Sequence, residues 1–128
     1  MESEVKPMDK MVRTGLLYDF YGGLLTAKQR QAMELYFLEN WSLAEIADSE
    51  GVSRQAVYDL LQRSERAIEE YERKLGLMDR FLRQQHGLAE IHRKIAAILA
   101  GKPENDPIFQ TLSDIEQQMI GLIEAENR

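Results

Sequence analysis

The stretch SLAEIADSEGVSRQAVYDLLQRSE, residues 42–65, reads as two helices joined at a glycine, and the fold turns on that reading. Ser42 and Glu45 have the S-x-x-E spacing in which each side chain satisfies the other's backbone N–H at a helix start. Trp41 and Ile46 stand at the N′ and N4 positions of a hydrophobic staple. Gly51 tolerates the positive φ of a tight turn, Ser53 suits the next N-cap, and Val52 with Val57 offers a second staple. In a helix-turn-helix a small residue on the first helix admits the second, glycine makes the turn, and apolar residues hold the crossing. Ala47, Gly51 and Val57 fill those roles, with Leu43, Ile46, Val52 and Leu60 around them.

Outward from this motif the chain keeps helical periodicity. Val5 to Tyr21 carries Met8, Met11, Val12, Leu16, Leu17 and Phe20 on one stripe, and Gly22-Gly23 ends it. Thr26 with Gln29 repeats the capping pattern before a second helix expected to stop near Asn40. Leu17, Tyr18, Phe20 and Tyr21 are expected to lock the first helix over the bundle, and Met33 and Trp41 to enter the core. From Val57 the stripe through Leu60, Leu61, Ile68, Tyr71 and Leu75 continues to Gly76, a helix of about 34 Å from Ser53 at ~1.5 Å per residue.

Next, Leu77, Phe81, Leu88, Ile91, Ile95 and Ile98 fall at coiled-coil-like spacing, interrupted by Gln84. AGKPENDP, residues 100–107, breaks the pattern, with Asp106-Pro107 as N-cap and first helical residue of a last helix. That helix carries Ile108, Leu112, Ile115, Met119 and Leu122, with Met119 in a seam. With no strand pattern, the expectation is an all-α protein: a helix-turn-helix bundle over residues 1–76 and an antiparallel helical hairpin over residues 77–128. The hairpin's stripes are long enough to pack on Ile68–Leu75 and on a second chain, which predicts a homodimer.

The 128 residues include 16 Lys and Arg against 22 Asp and Glu, a net charge of −6. This opposes general attraction to phosphate polymers or anionic membranes, so any nucleic-acid contact must be local. No cysteine is present, and neither a signal peptide nor an apolar run near ~20 residues appears, which gives a cytoplasmic, non-membrane expectation.

Docked as such motifs dock, the second helix presents Ser53, Arg54, Gln55, Tyr58, Asp59, Gln62 and Arg63 to base edges and phosphates. Arg pairs with guanine O6/N7, Gln with adenine N6/N7, and Ser53 with its helix N-terminus suits a phosphate. Lys28 or Arg30 adds a phosphate contact, for about two to four neutralised phosphates per chain. Such a monomer binds weakly, and a dimer spacing two recognition helices about 34 Å apart compensates. Against this, residues 26–75 hold seven Lys/Arg and ten Asp/Glu, a net −3 where DNA readers are usually basic. Glu65 with Glu69, and Glu69 with Arg73, then read as i,i+4 pairs on a solvated face.

Catalytic signals are lacking. His86 and His92 are six residues apart, on widely separated helix faces, and read as solvated rather than metal-binding. Asp19, an acid amid aromatics without a partner base, reads as bundle edge. No P-loop, dinucleotide fingerprint, G-x-S-x-G or HExxH occurs, so the reading is a non-enzyme without cofactor or metal.

Residues Leu16 to Leu77, about half the chain, resemble the YlxM family of small bacterial proteins through LYDFY, LLT, KQ, SLAEIA and VSRQAVYD. The same part is similar, at the level of fold, to region four of bacterial sigma factors, which reads promoter DNA. The resemblance implies a DNA-binding regulatory protein encoded beside the signal recognition particle genes and acting in that pathway. It implies no catalytic or binding residues. A rival reading keeps the motif as a scaffold and has the acidic long helix and apolar tail dock protein, with the particle's basic GTPase subunit as partner.

Overall fold

The computed structural model describes residues 9–126, and among these all regular structure is helical. Six helices follow in order: α1 Lys10–Tyr21, α2 Ala27–Met33, α3 Leu43–Glu50, α4 Arg54–Leu75, α5 Leu77–Ala100 and α6 Phe109–Glu126. The chain divides into two compact units, one ending at Asp79 and the other beginning at Arg80. No helix among the described residues is long and apolar enough to cross a membrane.

In the first unit α4 is the hub, packed on α1, α2 and α3. Its buried face, Val57, Leu61, Ser64 and Ile68, recurs at steps of three and four and meets Leu17, Met33, Ile46 and Ala47 in the core. Ser64 is fully buried among them and donates its hydroxyl to the Leu60 carbonyl at 2.8 Å, so the interior keeps no unsatisfied hydroxyl there.

Both capping boxes form. The Thr26 amide donates to Gln29 Oε1 and the Gln29 amide to Thr26 Oγ1, and Ser42 and Glu45 make the same reciprocal pair. These bonds to Ser42 hold the Glu45 carboxyl below its usual range. Gly51 adopts φ 68°, the left-handed conformation that the turn demands, and the Val52 amide returns to the Ala47 carbonyl.

Several expectations are corrected. The first helix begins at Lys10, where Asp9 caps the Met11 amide at 2.8 Å, and the expected residues Val5 and Met8 lie outside the described part. The second helix stops near Asn40 as expected, but its last turn is not regular α-helix. After Met33 it widens into a π-helical turn, Glu34–Leu38, and Asn40 closes it at φ 58°. Trp41 is half-buried, at the margin of the core and not inside it. Glu69 pairs not with Arg73 but with Arg13 of α1, accepting from Nε at 3.0 Å and Nη2 at 2.7 Å. That bidentate pair lowers the Glu69 pKa, whereas Arg73 turns to Glu70. The last helix is regular from Phe109, two residues past the expected start at about Pro107, while the Asp106 side chain accepts from the Ile108 amide at 3.0 Å as expected of an N-cap.

Gly22 is required for a reason other than its place at a helix end. Its φ is −56°, but a Cβ there would lie 2.8 Å from the Tyr18 ring. Tyr18 in turn donates its hydroxyl to Glu34, and burial with this bond raises its pKa to about 12. Thus the LYDFY segment ties α1 to the π-helical turn. Leu17 and Tyr21 are core, Tyr18 and Phe20 half-buried, and Asp19 exposed at the edge.

The junction between α4 and α5 is built on a buried carboxylate. Glu72, 9% exposed, accepts from the Tyr21 hydroxyl at 2.6 Å and from the Met78 and Asp79 amides at 3.0 Å each. The Leu77 amide donates to the Tyr21 oxygen at 3.1 Å, so three of the orphan N–H groups at the start of α5 are satisfied. Gly76, at φ 63°, lets the chain leave α4 directly into that cap.

In the second unit α5 and α6 form the hairpin, with Met119 buried and a cross-helix pair between His92 Nε2 and Glu116 Oε2 at 3.5 Å. His92 therefore faces its neighbour helix, a correction to the solvated reading; His86 stays exposed. Among the described residues no group of three His, Cys, Asp or Glu side chains is placed to hold a metal.

Candidate nucleic-acid interface

The geometry of the motif follows from two small residues and one staple position. Ala47 and Val57 are buried, 4% and 2% exposed, across the turn at Gly51, so α4 meets α3 closely and its first turn stands clear of the bundle. Ser53, Arg54, Gln55, Tyr58, Asp59 and Arg63 are all exposed, and Gln62 is half-buried. Steps of three and four from residues 54 and 55 to 58, 59, 62 and 63 bring these side chains onto neighbouring faces of one helix. Tyr58 is 46% exposed and available for contact.

Local bonds adjust what each group can offer. The Ser53 oxygen accepts from the Ala56 amide at 3.0 Å, so the serine caps its own helix and retains its O–H and a second lone pair for a ligand. Its cap leaves the Arg54 and Gln55 amides pointing outward from the helix N-terminus, where the backbone dipole favours an anion. Gln55 Nε2 donates to Asp59 Oδ1 at 2.9 Å. One amide hydrogen is thereby committed, and the carbonyl oxygen with the second hydrogen remains to meet a base edge. Asp59 thus holds the Gln55 amide in place, while its own carboxylate would be unfavourable beside a phosphate.

Cations are arranged more sharply than their number suggests. Among the described residues Arg54, Arg63 and Lys28 form no ion pair, whereas most other Arg and Lys of α4 are tied to glutamates. Lys28 of α2 and Arg63 of α4 line one groove of about 230 Å³, floored by Ala32, Leu35, Ile46, Val57 and Leu60 and edged by Glu50. Arg30, the other expected phosphate partner, instead donates Nη1 to the Leu25 carbonyl and opens on a different hollow with Glu34 and Glu39. The structure thus brings Lys28 toward Arg63 and takes Arg30 away. Only tertiary packing decides between the two, because both lie on the same short helix.

A left-handed glycine turn between two capped helices, with a solvent-facing second helix, defines a helix-turn-helix protein. Its chain belongs to the UPF0122 family, whose model, described as "Putative helix-turn-helix protein, YlxM / p13 like", matches residues 8–102. It is similar to a UPF0122 protein of Shouchella clausii, 50% identical over 90 residues that cover 70% of this chain and 83% of the relative. A UPF0122 protein of Anoxybacillus flavithermus is 43% identical over 110 residues, 86% of this chain and 97% of the other. The UPF0122 protein YlxM of Bacillus subtilis is 39% identical over 110 residues, covering 86% and 96%.

Proposed function

We propose that this protein is a non-enzymatic regulatory protein of the cytoplasm that binds nucleic acid, DNA or RNA in its place, through the first two turns of α4. Arg54 and Gln55 read base edges, the α4 N-terminus with Ser53 holds a phosphate, and Arg63 with Lys28 contacts the flanking backbone. The observation that carries this reading is an exposed Arg54, without an ion pair among the described residues, beside the Asp59-braced Gln55 at the tip of a capped helix. Membership of a helix-turn-helix family supports it. The resemblance to the YlxM family supports a role in the signal recognition particle pathway.

The net charge of −6 favours a second reading, in which the motif is a scaffold and the acidic surface docks on the particle's basic GTPase subunit. Arg54→Ala combined with Gln55→Ala separates the two. The first reading expects at least a tenfold loss of specific duplex or RNA binding, from about 1–3 kcal/mol per base-reading side chain, with the unfolding free energy within ~0.5 kcal/mol of the parent. Unchanged nucleic-acid binding, or unimpaired partner function in a variant that no longer binds nucleic acid, overturns it in favour of the second.

A further inference from the structure

The second unit keeps an apolar face that its own two helices do not cover. Ile91 and Ile98 on α5 are 50% and 48% exposed, and Ile108, Ile115 and Leu122 on α6 are 47%, 38% and 56% exposed. Each set recurs at intervals of seven, with Gln84 continuing the α5 series, so each forms a straight stripe along its helix. The His92–Glu116 contact shows where the two stripes lie. Ile91 directly precedes His92, and Ile115 directly precedes Glu116. In an antiparallel pair of right-handed helices, the residue before a seam position falls on the same flank of both helices. The stripes therefore share one face in three rungs, Gln84 with Leu122, Ile91 with Ile115 and Ile98 with Ile108.

We propose that this face is the dimerisation surface, with a second copy of the chain seated on it so that α5 of each copy lies on α6 of the other. Charge selects that pairing. Helix α5 carries four Arg or Lys and two Asp or Glu, whereas α6 carries four Asp or Glu and no Arg or Lys. Crossing α5 over the other copy's α6 sets +2 against −4 twice, and α5 on α5 with α6 on α6 sets like charge on like. A two-fold axis parallel to the hairpin gives this arrangement and keeps every rung at its own level, so that Ile91 meets Ile115 of the other copy.

The size of the face is adequate. Five half-exposed aliphatic side chains present on the order of 400 Å², in the range where patches on soluble proteins are functional. With flanking side chains of two long helices the surface approaches the ~800 Å² per partner of a standard interface.

Sedimentation of the full chain from about 1 to 100 μM is expected to show a dimer. Ile91→Glu and Ile115→Glu, at positions already exposed to solvent, should each weaken it at least tenfold while circular dichroism shows unchanged helix content. The chain has no cysteine, so Ile91→Cys and Ile115→Cys can be oxidised separately and as a mixture. The mixture should form covalent dimers well beyond either variant alone. A monomer at every concentration, or a dimer indifferent to both glutamates, overturns the proposal. Cross-linking of Ile91→Cys with itself as efficient as in the mixture overturns the α5-on-α6 pairing.

Discussion

Among individual residues, the proposed interface depends on which cations are left unpaired. The first unit spends Arg13 on Glu69, and Arg73 and Lys74 on Glu70, whereas Arg54, Arg63 and Lys28, which form no ion pair among the described residues, stand on α4 or in its groove; Arg66, Arg30 and Lys10, also without an ion pair among the described residues, line other hollows. An acidic domain can in this way present a local positive site, since exposed charges farther away than about 8–10 Å are largely screened at physiological salt. Lys28→Ala and Arg63→Ala should therefore each weaken binding to all sequences alike and each reduce the slope of log affinity against log salt by about 1. Arg30→Ala, whose guanidinium faces the Leu25 carbonyl, should leave that slope unchanged. Binding to random duplex measured across a salt series checks all three, and an Arg30 effect equal to that of Lys28 would contradict the assigned groove.

Among helices and turns, what could be read in advance was what is local. The Thr26–Gln29 and Ser42–Glu45 boxes, the Gly51 turn and the Ser53 cap all depend on neighbours within four residues, and each is present as its spacing implied. The π-helical turn at Glu34–Leu38 was not legible, because LYFLEN has ordinary helical periodicity and its widening accompanies the Tyr18–Glu34 contact. Nor could Arg13–Glu69 or His92–Glu116 be read, since the partners lie on different helices and i,i+4 rules see only one helix at a time. The exposure of Arg54 and Gln55 could be expected from the motif, but the hold of Asp59 on Gln55 came only with the side chains in place.

The junction of α4 with α5 offers a test of stability. Glu72 and Tyr21 cap α5 from a buried position, so removing one partner leaves polar groups without bonds. Tyr21→Phe removes the hydroxyl that links Glu72 to the Leu77 amide and should cost about 1–3 kcal/mol in chemical unfolding. Tyr71→Phe keeps the stacked ring, centred 6.0 Å from that of Tyr21, and should fall within ~0.5 kcal/mol of the parent. Equal effects of the two substitutions would show that the buried cap contributes nothing specific.

Across the complete chain, net charge and local site pull in opposite directions. A charge of −6 works against non-specific attraction to nucleic acid, so affinity must come from few, well-placed contacts or from doubling the site in a dimer. On the proposed reading these tasks are divided between the two units: α4 of the first for nucleic acid, and the α5 and α6 stripes of the second for a second copy. Whether α4 meets nucleic acid is decided by the backbone amide spectrum of the ¹⁵N-labelled full chain during titration with duplex DNA and, separately, with structured RNA. With at least one of them, shifts are expected to concentrate at 53–63 and at Lys28, and to be absent along Ile108–Leu122. A spectrum that stays still at 53–63 while binding is seen by another probe, or that moves only in α5 and α6, would contradict nucleic-acid reading by α4.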